Sequence, residues 1–120
     1  MSKGVSLIEL MITLAIIAIL VAVSGNVFSS NILKSRRQQA QNELFESTLL
    51  QGQFRLTHGR YANAEELGLK NSEHYIFATE NKGGITFVLT ATAQNNQKKD
   101  SACSRLSINQ SMQRLPKGCW

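Results

Sequence analysis

Apolar residues fill the first quarter of the chain, then give way to a helical stripe and later to alternation. From Val5 to Val23 the only polar side chains are Ser6, Glu9 and Thr13. Ser24, Gly25 and Asn26 dilute the run, and Val27 and Phe28 resume it. No charge separates Glu9 from Lys34, a gap of 24 residues, and a helix needs roughly 20 to cross a bilayer. From Ile32 to His58 the chain is rich in Leu, Gln, Glu, Ala and Arg, mostly good helix formers. Leu33, Arg37, Ala40, Leu44, Ser47 or Thr48, Gln51 and Arg55 recur on one face at helical spacing. Phe45–Leu49 and Leu50–Phe54 are i,i+4 apolar pairs on neighbouring faces. The pattern predicts one helix over 6–57, stopped at His58-Gly59 by the usual glycine past a helix end. Ser24-Gly25-Asn26 is the expected point of bending or loosening.

The rest reads as β structure. Residues 60–73 form a connecting loop with a short helical turn at 63–67. HYIFAT (74–79) alternates weakly, 80–84 is a turn, and ITFVLTATA (85–93) is the clearest strand. Together they predict a hairpin around Gly83-Gly84. A polar loop covers 94–102, and 105–109 is a third strand with Leu106 and Ile108 on one face. A sheet this small must pack on another element. The helix is the expected partner, through Leu44, Leu49 and Leu50. The fold class is α+β: a long N-terminal helix on a small antiparallel sheet.

Composition adds constraints. At 120 residues there is room for one small domain and one anchor. A carboxylate inside an apolar run, here Glu9, is costly unless something pairs with it. An ordinary secretory signal carries its small-residue cleavage site after the apolar core. Here Lys3 and Gly4 precede the core, although Ser24-Gly25 could imitate a late site. The chain has 13 basic and 8 acidic residues, formally +5. Two cysteines, Cys103 and Cys119, lie near the C-terminus. Their even number favours one disulfide if the chain leaves the cytoplasm. The competing readings are two reduced thiols or half a metal site, though the spacing and the two histidines fit no usual zinc pattern.

No catalytic constellation emerges, and no metal or cofactor is implied. His58 and His74 lack a nucleophile context and read as surface or loop residues. Glu65-Glu66 are adjacent and do not face each other on a helix. Gly83-Gly84 lack the Gly-Lys-Ser/Thr of a phosphate loop. From Gln94 onward there are five basic residues, Lys98, Lys99, Arg105, Arg114 and Lys117, against Asp100 alone, a balance of +4. Such a patch suits phosphate backbones, and Trp120 offers a stacking surface. The plainer reading is a solvated loop or a contact with an acidic neighbour.

Lys3-Gly4 followed by Val5-Ser6-Leu7-Ile8-Glu9-Leu10-Met11 resembles the class III signal of type IV prepilins and the related pseudopilins. The tail, Ala102 to Ile108 with Cys119-Trp120, resembles PilE-type minor pilins, as does Gly59-Arg60-Tyr61-Ala62. The resemblance implies the type IV pilin fold with a disulfide-closed C-terminal loop. It implies a cleaved leader (1–4), a transmembrane and assembly helix (5–28) and a periplasmic head (29–120). A prepilin peptidase would cut after Gly4 and N-methylate Val5. Losing Lys3 would leave 12 basic against 8 acidic residues, or +4. Cleavage creates an amine at Val5, and the Val5 amine of a neighbouring subunit could neutralise Glu9 inside an apolar bundle. The alternative is a Glu9 hydrated among lipid headgroups.

Three departures from the family stand out: Val5 for the usual Phe, Ala18 for a frequent Gly, and Asn26 for a frequent helix-kinking proline. The implied partners are other pilin subunits, the prepilin peptidase and the inner-membrane assembly machinery, with DNA as a further candidate. The implied function is a minor pilin of a type IV pilus, serving assembly, twitching motility, adhesion or DNA uptake. The alternatives are a type II secretion pseudopilin, which the acid-poor C-terminal region does not favour, and a DNA-binding competence pilin.

Overall fold

The structure is a computed structural model that describes residues 4–120; residues 1–3 of the expected leader lie outside the described residues. Two compact units are present, Met1–Ile32 and Leu33–Trp120. A single helix, α1 (Leu7–His58), contributes to both.

The first unit is helix. Its start is a reciprocal cap: the Glu9 N–H donates to Ser6 Oγ (3.2 Å), and the Ser6 N–H donates to Glu9 Oε2 (3.1 Å). Two of the helix's unpartnered donors are thereby satisfied. The large apolar side chains from Leu7 to Phe28 are exposed. By length and composition this part of α1 can cross a membrane. The expected loosening at Ser24–Asn26 is absent at the level of secondary structure, where α1 is unbroken. Ser24 and Ser29 donate their hydroxyls to the carbonyls of Val21 and Gly25. These hydroxyls find partners on their own helix in a segment with few others.

In the second unit α1 buries Ala40, Leu44, Ser47 and Gln51, the stripe expected from periodicity. Leu49 and Leu50 depart from expectation: they are 56% and 46% exposed and lie outside the core. The face that meets the sheet uses small and hydrogen-bonding residues instead. Gln51 is fully buried and holds both backbone polar groups of one residue, Ala62. It accepts from the Ala62 N–H (2.7 Å) and donates to the Ala62 carbonyl (2.9 Å). Gly59, at φ +72°, ends the helix as expected. A short helix, α2 (Ala64–Leu67), is capped by Asn63 and closed by Gly68 in the left-handed region.

The sheet is antiparallel, with order β1 (Tyr75–Lys82), β2 (Thr86–Ala93), β3 (Arg105–Asn109) and β4 (Arg114–Leu115). Phe87, Leu89, Ala91 and Ala93 of β2, Leu106 and Ile108 of β3, and Tyr75 of β1 point into the core with Ala40 and Leu44. Three boundaries differ from the sequence reading. β1 runs on through Glu80–Lys82, so the turn is Gly83 to Ile85. β4 is an additional two-residue strand. The polar loop 94–102 is largely wound into two 3₁₀ turns, Asn95–Lys99 and Ser101–Cys103.

Candidate functional site

The basic C-terminal region is tied to α1 by side chains distant in sequence. Gln97, fully buried, donates to the Leu33 carbonyl (2.8 Å) and to the Tyr75 hydroxyl (2.9 Å). Burial pushes the Tyr75 phenol above its ordinary pKa. Arg37 donates to both oxygens of Asp100, at 3.0 and 3.1 Å, in a largely buried pair. A disulfide joins Cys103 to Cys119, with Cα atoms 5.7 Å apart. The Gln41 amide donates to the Cys119 carbonyl. The loop the disulfide closes, 16 residues in separation, makes the bond worth roughly 3 kcal/mol in chain-entropy terms.

These ties carry the candidate cations. Lys98 and Lys99 lie between Gln97 and Asp100, and Arg105 follows Cys103 by two residues and pairs in register with Thr92. Lys117 precedes Cys119 by two residues. The Arg114 guanidinium lies 5.5 Å from the centre of the Trp120 ring. The Trp120 indole N–H donates to the Leu115 carbonyl (3.1 Å). All five cations are exposed, and none has a carboxylate partner among the described residues. The one acid of this region, Asp100, is taken by Arg37.

The helix adds cations that the sequence reading did not include: Lys34, Arg36 and Arg37. Their signal is the Lys34-Ser35-Arg36-Arg37 cluster just after the apolar segment. Its link to the tail appears only when Arg37 meets Asp100. Lys34, Arg37, Gln38, Gln41 and Trp120 line a polar groove of about 330 Å³.

The other singled-out residues fall elsewhere. His58 stacks on Phe54 with ring centres 3.9 Å apart. His74 is more buried than a surface residue, and its Nδ1 has no partner among the described residues. With Arg36, Glu43 and Lys70 it lines a second cavity of about 240 Å³. Glu66 is clamped by the Arg60 guanidinium at 2.9 and 2.7 Å and by the Asn63 N–H. The Arg60 hydrogen bond leads in holding its carboxyl down to about 2. Glu65 takes no part in that clamp. Gly4 and Val5 are exposed and precede the helix, and Glu9 is engaged by its own cap. Among the described residues no group of three potential ligands could hold a metal ion.

A family model described as "Type IV minor pilin ComP, DNA uptake sequence receptor" matches residues 27–107, more than half of the chain. The chain belongs to this family of type IV minor pilins. A second model, the prokaryotic N-terminal methylation motif, matches residues 1–25. The pilin also resembles a solved type IV pilin from Shewanella oneidensis, with a TM-score of 0.64 and 29% identity. That likeness covers 73% of this pilin and 97% of the Shewanella chain. No curated protein matches it. The fold expected from the sequence is therefore the fold observed: a long helix, an antiparallel sheet and a disulfide-closed C-terminal loop.

Proposed function

We propose that this pilin is a single-pass inner-membrane subunit before assembly and then a minor component of an extracellular type IV pilus, where its head contacts DNA during uptake. The leader would be removed after Gly4 and Val5 N-methylated, in keeping with the N-terminal motif at residues 1–25. Glu9 would set the register against the Val5 amine of a neighbouring subunit. Prepilin peptidase and the assembly machinery are the partners of those steps.

The observation that carries the DNA reading is that five exposed cations without carboxylate partners among the described residues lie on, or just before, the segment that the disulfide closes. Lys98 and Lys99 end the 3₁₀ turn Asn95–Lys99, Arg105 lies on β3, Arg114 on β4 and Lys117 opens a further 3₁₀ turn, Lys117–Cys119, while Asp100, the one acid of the region, is taken by Arg37. The family description, a receptor for DNA uptake sequence, agrees with that chemistry. Affinity from such a surface is dominated by counterion release and falls steeply with salt.

The test is a gel shift with the full chain in non-ionic detergent. DNA is retarded at about 50 mM salt and released by about 200 mM. Lys98→Glu with Lys99→Glu weakens the complex by about tenfold or more at low salt and makes it less salt-dependent. An unchanged shift in the double variant removes this patch from the proposal.

A further inference from the structure

Resting on the membrane-anchored reading above, we infer that Lys34, Arg36, Lys98 and Lys99 form a docking surface for anionic phospholipid headgroups, holding the head on the bilayer before the subunit enters a pilus. These cations come from two segments far apart in sequence. The Gln97 amide donates to the Leu33 carbonyl (2.8 Å), and the Arg37 guanidinium donates to Asp100 (3.0 Å). Both ends of the 97–100 segment are thereby pinned to a single turn of α1, Leu33 to Arg37. Lys98 and Lys99 lie inside the pinned segment, and Lys34 and Arg36 lie inside the pinning turn. Lys34, Lys98 and Lys99 are exposed, Arg36 is half-buried, and none of the four has a carboxylate partner among the described residues.

Opposing charge is sparse at this turn. Asp100 is consumed by Arg37. After Glu9, α1 carries no acid until Glu43, two turns beyond Arg36. Glu73 is the exposed acid brought near: its carbonyl accepts from the Asn95 amide, and its carboxylate faces His74 at 3.9 Å. One such acid leaves the surface strongly positive.

The bilayer is the occupant because of where the cations fall along the chain. Phe28 closes the exposed apolar run, and Lys34 follows it by six residues. Six residues of helix rise about 9 Å. The headgroup layer beside the hydrocarbon is roughly 5–8 Å deep, and an anionic surface attracts cations over about one further Debye length, 8–10 Å. Connectivity alone therefore keeps Lys34 within reach of the surface, and the Gln97 and Asp100 ties bring Lys98 and Lys99 to the same turn. DNA offers the same phosphate charge, but the apolar segment delivers a bilayer here at high effective concentration. Lys98 and Lys99 cannot serve both at once, so anionic lipid withholds them from DNA until the subunit leaves the membrane.

The full chain is reconstituted in lipid nanodiscs, either zwitterionic throughout or with about a third of the lipid anionic. Lysines are acylated briefly with a neutral amine-reactive ester, and the modified peptides are quantified by mass spectrometry. Lys82 is the internal reference: it is exposed and ends β1 beside the turn that bonds Tyr61, past the far end of α1. Anionic lipid slows labelling of Lys34, Lys98 and Lys99 about threefold or more relative to Lys82, and about 0.5 M salt, which shortens the Debye length to a few Å, restores it. Lys98→Gln with Lys99→Gln speeds labelling of Lys34 in anionic discs and leaves it unchanged in zwitterionic ones.

Equal labelling in the two lipids, in discs that retain the chain, overturns the docking surface and leaves membrane anchoring standing. A chain that does not stay with the discs overturns both. Protection by duplex DNA in zwitterionic discs, with none from anionic lipid, overturns the lipid surface and assigns these cations to DNA alone. The labelling comparison uses the unaltered chain, so its outcome stands even if the double variant disturbs the 97–100 segment.

Discussion

Glu66 shows how much one solvent-facing carboxylate can organise when its partners are fixed. It follows Asn63 by three residues, and the two exchange hydrogen bonds between side chain and backbone at the start of α2. Its oxygens also accept both Arg60 nitrogens. Together these hold its carboxyl at about 2, against an ordinary value of 4.5. A carboxyl depressed on folding stabilises the fold above its unfolded pKa, and the contribution disappears as pH falls through the folded value. The clamp is therefore complete above about pH 5 and fades between about 4.5 and 2. Thermal melts of the original chain and Glu66→Gln should differ by a constant amount at neutral pH and converge across that acid window. Curves separated by the same interval at pH 3 and pH 7 would show that the carboxylate charge contributes nothing.

The β1–β2 turn is where an element depends on a missing side chain. The Tyr61 N–H donates to the Gly84 carbonyl (2.9 Å), and Asn81 donates to the Tyr61 carbonyl, so the turn docks on the segment that leaves α1. Gly83 and Gly84 both have positive φ, +63° and +75°. They differ in surroundings: a Cβ at Gly84 would lie 2.7 Å from Arg60 Cβ, whereas one at Gly83 would meet open space. Gly83→Ala should cost about 1–2 kcal/mol from backbone strain alone. Gly84→Ala adds a clash and should cost about 3 kcal/mol or more, a loss of roughly 10 °C or more in Tm. Unfolding followed by Trp120 fluorescence measures both; equal losses would remove Arg60 from the explanation. The glycines were legible as a turn, but its limits were not. Glu80–Lys82 are polar because β1 is an edge strand with a solvated face, and polarity there imitates a loop. Helical periodicity correctly selected Ala40, Leu44, Ser47 and Gln51. Hydropathy misassigned Leu49 and Leu50, since apolar character does not state which face meets the sheet. β4 was illegible because two residues carry no period, and its pairing with β3 comes from tertiary placement. The cations of the tail were legible by count, and their companions on α1 were not, because Arg37 and Asp100 lie 63 residues apart.

On the scale of the whole molecule, the two ends of the chain differ in charge. The C-terminal region of the head carries five cations without carboxylate partners among the described residues, and the apolar segment carries a lone acid, Glu9. The Ser6–Glu9 cap supplies that acid with a partner inside its own subunit, an option not drawn from the sequence. Glu9 thus has two separable properties: it accepts the Ser6 N–H, and it carries the charge that the proposed assembly pairs with a neighbour's Val5 amine. Glutamine in this position of a capping box also accepts from the cap N–H, so Glu9→Gln keeps the first property and removes the second. Glu9→Ala removes both. If register is set by charge, both variants insert into the membrane normally, and both are at least tenfold depleted from sheared pili, since a buried amine left without its carboxylate costs several kcal/mol. If the cap is what matters, Glu9→Gln enters pili as the original chain does and only Glu9→Ala is lost. Quantifying the subunit in membrane and pilus fractions separates the two, and normal incorporation of Glu9→Gln ends the charge-pairing role.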